Sequence, residues 1–241
     1  MNNKDKLEIV DILKNLVAID SAYPPGNSTK INNYIFNYLK SAKLNLSLKG
    51  PHKNKLSLIV KNFKGNQKSI IFNSHIDTVQ ANKKDWLTDP FKLTKKGNYL
   101  HGLGSVNCKG SAAVQIYLAK QLKNLFPKLK ENVSFTFVAD EENLGPDGSF
   151  YLRKKKLINP HTLILGAPTN NNFIVEERGV FWTSVYVKGK TSHAGEPHKG
   201  INAIEKANKI IFALQTKYKK NCNKYNIQNQ LSTMNIGLIK G

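Results

Sequence analysis

Apolar positions along the 241-residue chain change their period several times, and each change marks an element. Residues 5–18 place Leu7, Val10, Ile12, Leu13, Leu16 and Val17 at helical spacing, which predicts an amphipathic first helix. SAYPPGNS (21–28) breaks it, and Ser28 or Thr29 is placed to cap a second helix reaching about Ala42. KLSLIVKNF (55–63) and KSIIFNSHIDTV (68–79) read as strands joined by the turn signal KGNQ. From Gly110 to about Phe126, Ala113, Val114, Ile116, Tyr117, Ala119 and Leu122 predict a long helix. NVSFTFVADEENLG (132–145) reads as a strand running into an acidic loop, and HTLILGAPT (161–169) as a strand ending in a turn. This alternation predicts an α/β sheet with helices packed on its faces.

After about Asn172 the pattern changes. GVFWTSVYVKGK (179–190) alternates like a half-exposed strand, GINAIEKANKIIFALQTKY (200–218) reads as an amphipathic helix, and LSTMNIGLIKG (231–241) as a last strand. The β–α–β order predicts a small second domain, so the expected division is 1–172 and 173–241. The chain has no internal repeat and no low-complexity tract.

Composition narrows the class. With 40% hydrophobic and 22% charged residues the chain is globular in make-up. Its start, MNNKDKLEIVDILKN, is polar and amphipathic, and no run approaches membrane-spanning length. The expectation is a cytoplasmic protein with no membrane partner. Cys108 and Cys222 form neither a CxxC pair nor a disulfide framework, which agrees with a reducing compartment. The formal net charge of +21 suggests a polyanion partner, but Arg153 and Arg178 are the only arginines. Dispersed lysine without bidentate arginine reads as a solvated surface, so no nucleic-acid partner is expected.

The strand-like segments end in polar groups: His75 and Asp77, then Asp140, Glu141 and Glu142, then Ala167 and Thr169. In open α/β sheets, ligands gather at the carboxyl ends of strands. His75-x-Asp77 fits a metal-binding imidazole steadied by a carboxylate. Alone, it fits a structural hydrogen bond at a strand end better than a metal site. Consecutive acids in ADEENLG repel one another unless cations or buried donors compensate. One glutamate would then bind an ion while the other acts as general base, and a solvated acidic turn is the plainer alternative. GLGSVNCKG (102–110) resembles a phosphate loop only superficially. Lys109 precedes Gly110 where a Walker loop has it follow, and Cys108 stands at the third glycine of GxGxxG.

SHIDTV, WLTDPF, LHGLGSVNCKG, FVADEENLG, LGAPT, EERGV and VKGKTSHAGEPHKGINAI occur in an order that resembles the M20 metallopeptidase family, over essentially the whole chain. The opening AIDSAYPPGN is similar too, and the motifs lean toward its acetylornithine deacetylase and succinyl-diaminopimelate desuccinylase branch. The resemblance implies an α/β zinc-exopeptidase-like catalytic domain, incomplete here, with the first half of an inserted α+β lid that also forms a homodimer. It implies two zinc ions and hydrolysis of an amide bond in an N-acyl amino acid or small peptide. Position by position, His75 resembles a ligand of the first metal and Asp77 the carboxylate that steadies it. Glu141 resembles the general base, Glu142 a ligand of the second metal, and His193 the lid histidine that stabilises the oxyanion.

Two positions depart from that pattern. Asn107 stands where the family has the aspartate bridging both metals, and Ala167 where it has a glutamate ligand. The chain also ends at Gly241, before the segment that brings the family's last histidine ligand. Catalytic zinc normally holds about three protein ligands, and by this count each ion keeps one. Asp140, Glu176 and Glu177 are the acids near enough in sequence to substitute. An active hydrolase and a degenerate, non-catalytic, marginally stable form of it both follow, and the ligand count favours the second.

Overall fold

The computed structural model describes residues 2–222 and 232–240. They fall into two compact units, Met1–Val175 and Glu176–Gly241, each treated by itself below. In the first unit, α1 (Asn3–Ala18), β1 (Ala22–Tyr23) and α2 (Thr29–Leu39) precede β2 (Asn45–Lys49), β3 (Ser57–Lys61), β4 (Ser69–His75) and β5 (Thr78–Val79). The pair β6 (Thr94–Lys96) and β7 (Tyr99–His101) leads to α3 (Lys109–Leu125), β8 (Val133–Val138), α4 (Ser149–Lys154) and β9 (Pro160–Leu165).

The main sheet has the order β2-β3-β8-β4-β9. β3 runs antiparallel to β2 and β8, whereas β4 is parallel to both β8 and β9. Three carboxyl ends therefore meet at one edge, bringing together His75, the turn after Val138, and Gly166–Ala167. The KGNQ turn exists, with Gly65 at φ 78°, but β3 and β4 are not neighbours because β8 lies between them. Every residue of β8 is buried, so it needs a ladder on both sides. β2 was not anticipated; its five residues carry only Leu46 and Leu48 as apolar signal.

Alternation along the strands builds the core. Val133, Phe135 and Phe137 of β8 join Leu58 and Val60 of β3 beneath α1, α2 and α3, where Ile12, Leu16, Ile31, Ile35 and Ile116 are fully buried. Phe72 stacks on Phe135 with ring centroids 5.3 Å apart. Burying each such side chain contributes about 2 kcal/mol. The intervening residues face the other way, where Ile59 and Val138 meet Leu152 of α4. Two pairs of polar groups in the sheet bond to each other: Ser69 with Ser134 at 3.1 Å, and the Asn73 amide donating to Thr136 at 2.7 Å.

Asn2 and Asp5 form a reciprocal capping box at the start of α1. Ser28 occupies the N-cap position of α2 but does not cap it, because its hydroxyl donates to the Leu56 carbonyl at 2.8 Å. The last expected turn of that helix, Lys40–Ala42, is a 3-10 turn.

The second unit is built around α5 (Ala203–Ala213), capped by the Asn202 side chain, which accepts from Ile204 N at 2.9 Å. The strand expected at 179–190 is not formed. That segment offers only an isolated antiparallel bridge, Lys190 to Ile201, and Phe181, Trp182 and Tyr186 are exposed. The strand expected at 231–241 lies partly outside the described residues, and 232–240 carry no ladder. Alternation alone does not make a strand; a hydrogen-bonding partner is required, and no described segment supplies one. No helix among the described residues is long and apolar enough to cross a membrane.

Candidate metal centre

His75 is the last residue of β4 and is buried, 6% exposed. Its Nδ1 lies 2.9 Å from the Asp77 carbonyl, which can only accept, so the Nδ1–H is fixed there. Nε2 then faces the opening, 3.4 Å from Asn107 Oδ1 and 3.7 Å from Glu141 Oε2. Burial would lower the imidazole, but the Asp77 hydrogen bond and charge, with Glu141 beside it, raise it above its ordinary value.

Asp77 is buried behind the histidine. Its Oδ2 accepts from Glu142 N at 2.9 Å, which ties the strand end to the acidic turn. Its Oδ1 has no hydrogen-bond partner and lies 3.5 Å from His75 Nδ1.

The acidic turn is held from below by Asp140, which is fully buried with φ +68°. Its carboxylate accepts from Lys55 Nζ at 2.8 Å and from Asp147 N at 3.1 Å. The Tyr23 hydroxyl donates to Asn143 Oδ1 at 2.8 Å on the same turn, and Lys55 Nζ lies 5.3 Å from the centroid of the Tyr23 ring. Asp140 is thereby committed to structure and is no substitute ligand. Lys55 and Tyr23 were invisible as site residues, because partners 85 and 120 positions away leave no local signal. Glu141 and Glu142 project toward His75 instead. Burial, and then the Glu141 charge, push the Glu142 carboxyl above its ordinary value, with His75 opposing.

Asn107 comes to this edge on the loop before α3, with a cis peptide to Cys108. Gly104 in that loop has φ +76°, and a Cβ there would lie 2.8 Å from Thr78 Cγ2. Lys109 runs beneath the loop, fully buried, and its Nζ donates to the Ile19 carbonyl at 2.8 Å. Burial pushes its pKa down to about 8, against the pull of Asp20 and Asp77. A lysine tied down this way contacts no phosphate. Cys108 Sγ donates to the Gly166 carbonyl at 3.0 Å, docking the loop against the end of β9. Next to it Ala167 is exposed and presents only a methyl group.

One imidazole nitrogen and two carboxylates, from His75, Glu141 and Glu142, thus lie within 4.8 Å of one another. Imidazole and carboxylate donors together form a candidate metal-binding group. Asn107 and Ala167 bring a neutral amide and a methyl to the same edge. His193, Glu176 and Glu177 belong to the second unit; Gly195 N donates to His193 Nδ1 at 3.1 Å.

Such a donor set lies at the carboxyl edge of the α/β sheet, where open sheets gather their ligands. Residues 71–225 match the profile of Peptidase family M20/M25/M40, and the chain belongs to that family. It is 28% identical over 241 residues to acetylornithine deacetylase of Buchnera aphidicola subsp. Acyrthosiphon pisum (96% of this chain, 62% of the relative). It is 29% identical over 184 residues to succinyl-diaminopimelate desuccinylase from the same subspecies (72% and 49%). The chain therefore spans less than two thirds of the length of these relatives. Among solved structures, a tripeptidase from Staphylococcus aureus subsp. aureus Mu50 shares the fold with TM-score 0.55 and 19% identity (86% of this chain, 56% of that one). Human carnosine dipeptidase 1 does so with TM-score 0.52 and 23% identity (67% and 39%).

Proposed function

We propose that this chain is a deacylase-branch M20 protein that has lost the dinuclear hydrolytic centre and does not turn over substrate as it stands. The observation carrying the reading is Asn107 Oδ1, 3.4 Å from His75 Nε2, at the position where the family motif has the metal-bridging aspartate. Ala167 supports it from the neighbouring strand end. The branch acts on N-acyl amino acids or small peptides, and the names of the relatives make N-acetylornithine and N-succinyl-diaminopimelate the substrates to try.

In this reading Asp77 steadies His75, Glu141 is the former general base, and Glu142 and His75 are the surviving ligands. Residues 173–241 belong to the lid and dimerisation domain, whose His193 would serve the oxyanion. Zinc, where bound, polarises an amide carbonyl and lowers the pKa of water. The residues of this chain hold it too sparsely for that chemistry.

The test is an assay of purified protein, loaded with Zn²⁺ or Co²⁺, against both acyl amino acids and a dipeptide panel. The expected result is no metal-dependent hydrolysis above the blank. Turnover that disappears in Glu141→Gln would overturn the reading.

A further inference from the structure

The carboxyl edge of the main sheet is acidic, with Asp77, Asp140, Glu141 and Glu142 gathered there. The opposite edge carries the reverse sign. Register places Lys61, at the end of β3, beside Ser134 of β8, and Ser69 of β4 beside Pro160 of β9. Three segments therefore emerge side by side, 62–68, 126–132 and 153–159. Lys64 and Lys68 come from the first, Lys128 and Lys130 from the second, and the run RKKK (153–156) from the third, all exposed. Glu131 is the one acid in these segments. In sequence the lysines are dispersed, but the fold gathers them. The dispersal that argued for a solvated surface and against a nucleic-acid partner does not describe this edge.

Asparagine side chains tie the three segments together through backbone carbonyls. Asn62 donates to Glu131 at 3.0 Å, Asn132 to Lys68 at 3.1 Å and Asn159 to Asn66 at 3.3 Å. Lys61 adds a fourth tie, its Nζ donating to the Leu157 carbonyl at 3.2 Å. The lysine ion pairs among the described residues, at Lys55, Lys83, Lys120 and Lys199, all lie elsewhere. Gathered like charges repel, and a polyanion relieves that repulsion while releasing its own counterions. Aromatic rings lie among the cations. Phe126, 51% exposed, follows α3, and the Lys61 and Lys154 ammoniums lie 5.4 and 5.9 Å from the ring centroids of Phe63 and Phe150. Cations interleaved with rings suit a strand whose phosphates alternate with unstacked bases. With lysine in place of arginine at all but Arg153, the edge offers phosphate contacts and little bidentate base readout. α4 ends there after only six residues, so it presents no long amphipathic face to a lipid surface. We propose that this edge binds single-stranded nucleic acid through its phosphate backbone, without sequence preference. It lies the length of β4 away from His75 and is independent of the preceding reading.

The test is fluorescence anisotropy of a labelled oligouridylate, about 20 nucleotides long, titrated with the intact chain at several KCl concentrations. Affinity should fall as salt rises, with a log–log slope of about −0.7 for each phosphate contacted. Lys154→Gln/Lys155→Gln/Lys156→Gln should weaken binding about tenfold or more and flatten the slope by up to about 2. Phe126→Ala should weaken it about fivefold through lost stacking. The control Lys92→Gln/Lys95→Gln/Lys96→Gln removes the same charge from exposed positions around β6 and should bind as the wild type does. All six lysines are exposed, and an unchanged circular dichroism melt verifies the fold of each variant. Absent or salt-insensitive binding would overturn the proposal. So would equal losses in the two triple variants, an unaffected Phe126→Ala, or binding to phosphatidylserine vesicles without binding to the RNA.

Discussion

Which acid of the turn faces the site is decided by a residue far outside it. Lys55 draws Asp140 inward, and the left-handed backbone at Asp140 turns Glu141 and Glu142 toward His75. Lys55→Met leaves a fully buried carboxylate without its cation, and such a loss costs about 3 kcal/mol. Urea unfolding should show a correspondingly lower midpoint, and the double variant Lys55→Met/Asp140→Asn should recover part of it. An unchanged midpoint in the single variant would contradict this role. The acids themselves were legible in ADEENLG as adjacent charges after an apolar strand. Their separate fates were not, since the sequence around Lys55 carries no mark of its partner. Asn107 and Ala167 were legible only against a family pattern, because an asparagine in a loop and an alanine in a turn are otherwise unremarked.

At the scale of elements, helix periodicity was read to within a few residues for α1, α2 and α3, where apolar faces are long and meet one core. Strand pairing was not legible. The insertion of β8 between β3 and β4 depends on non-local contacts that no local period encodes. The expected strand at 179–190 failed for the same reason, having alternation but no ladder partner among the described residues. The helices are also pinned to one another by polar contacts that the sequence hides. Tyr38 of α2 donates to Glu8 of α1, and Lys120 of α3 donates to the same carboxylate at 3.2 Å. The Tyr38 bond, then Lys120, hold Glu8 below its ordinary 4.5 despite burial. A depressed carboxyl stabilises the fold above its unfolded pKa, and that contribution is lost as pH falls through the folded value. Wild type should therefore exceed Glu8→Gln by up to about 1 kcal/mol at pH 7. The gap should close below pH 4.5, as followed by urea midpoints across that range. A gap that persists at pH 3 would count against the clamp.

For the whole molecule, the family and the fold class were legible because ordered motifs sit at strand ends, where an α/β sheet gathers its chemistry. The large positive charge was less informative than its size suggests, since lysine is dispersed and arginine nearly absent. The two units differ in kind. The first has a continuous apolar core, whereas Cys222 is the one buried apolar side chain among the described residues of the second. What joins residue chemistry to molecular function is the number of cations the first unit can hold. Anomalous diffraction at the zinc edge, from crystals of the intact chain grown with Zn²⁺, measures that number directly. The account predicts no pair of peaks at this sheet edge. Two peaks roughly 3.5–4 Å apart, the spacing of dinuclear hydrolases, with Asn107 between them, would contradict it.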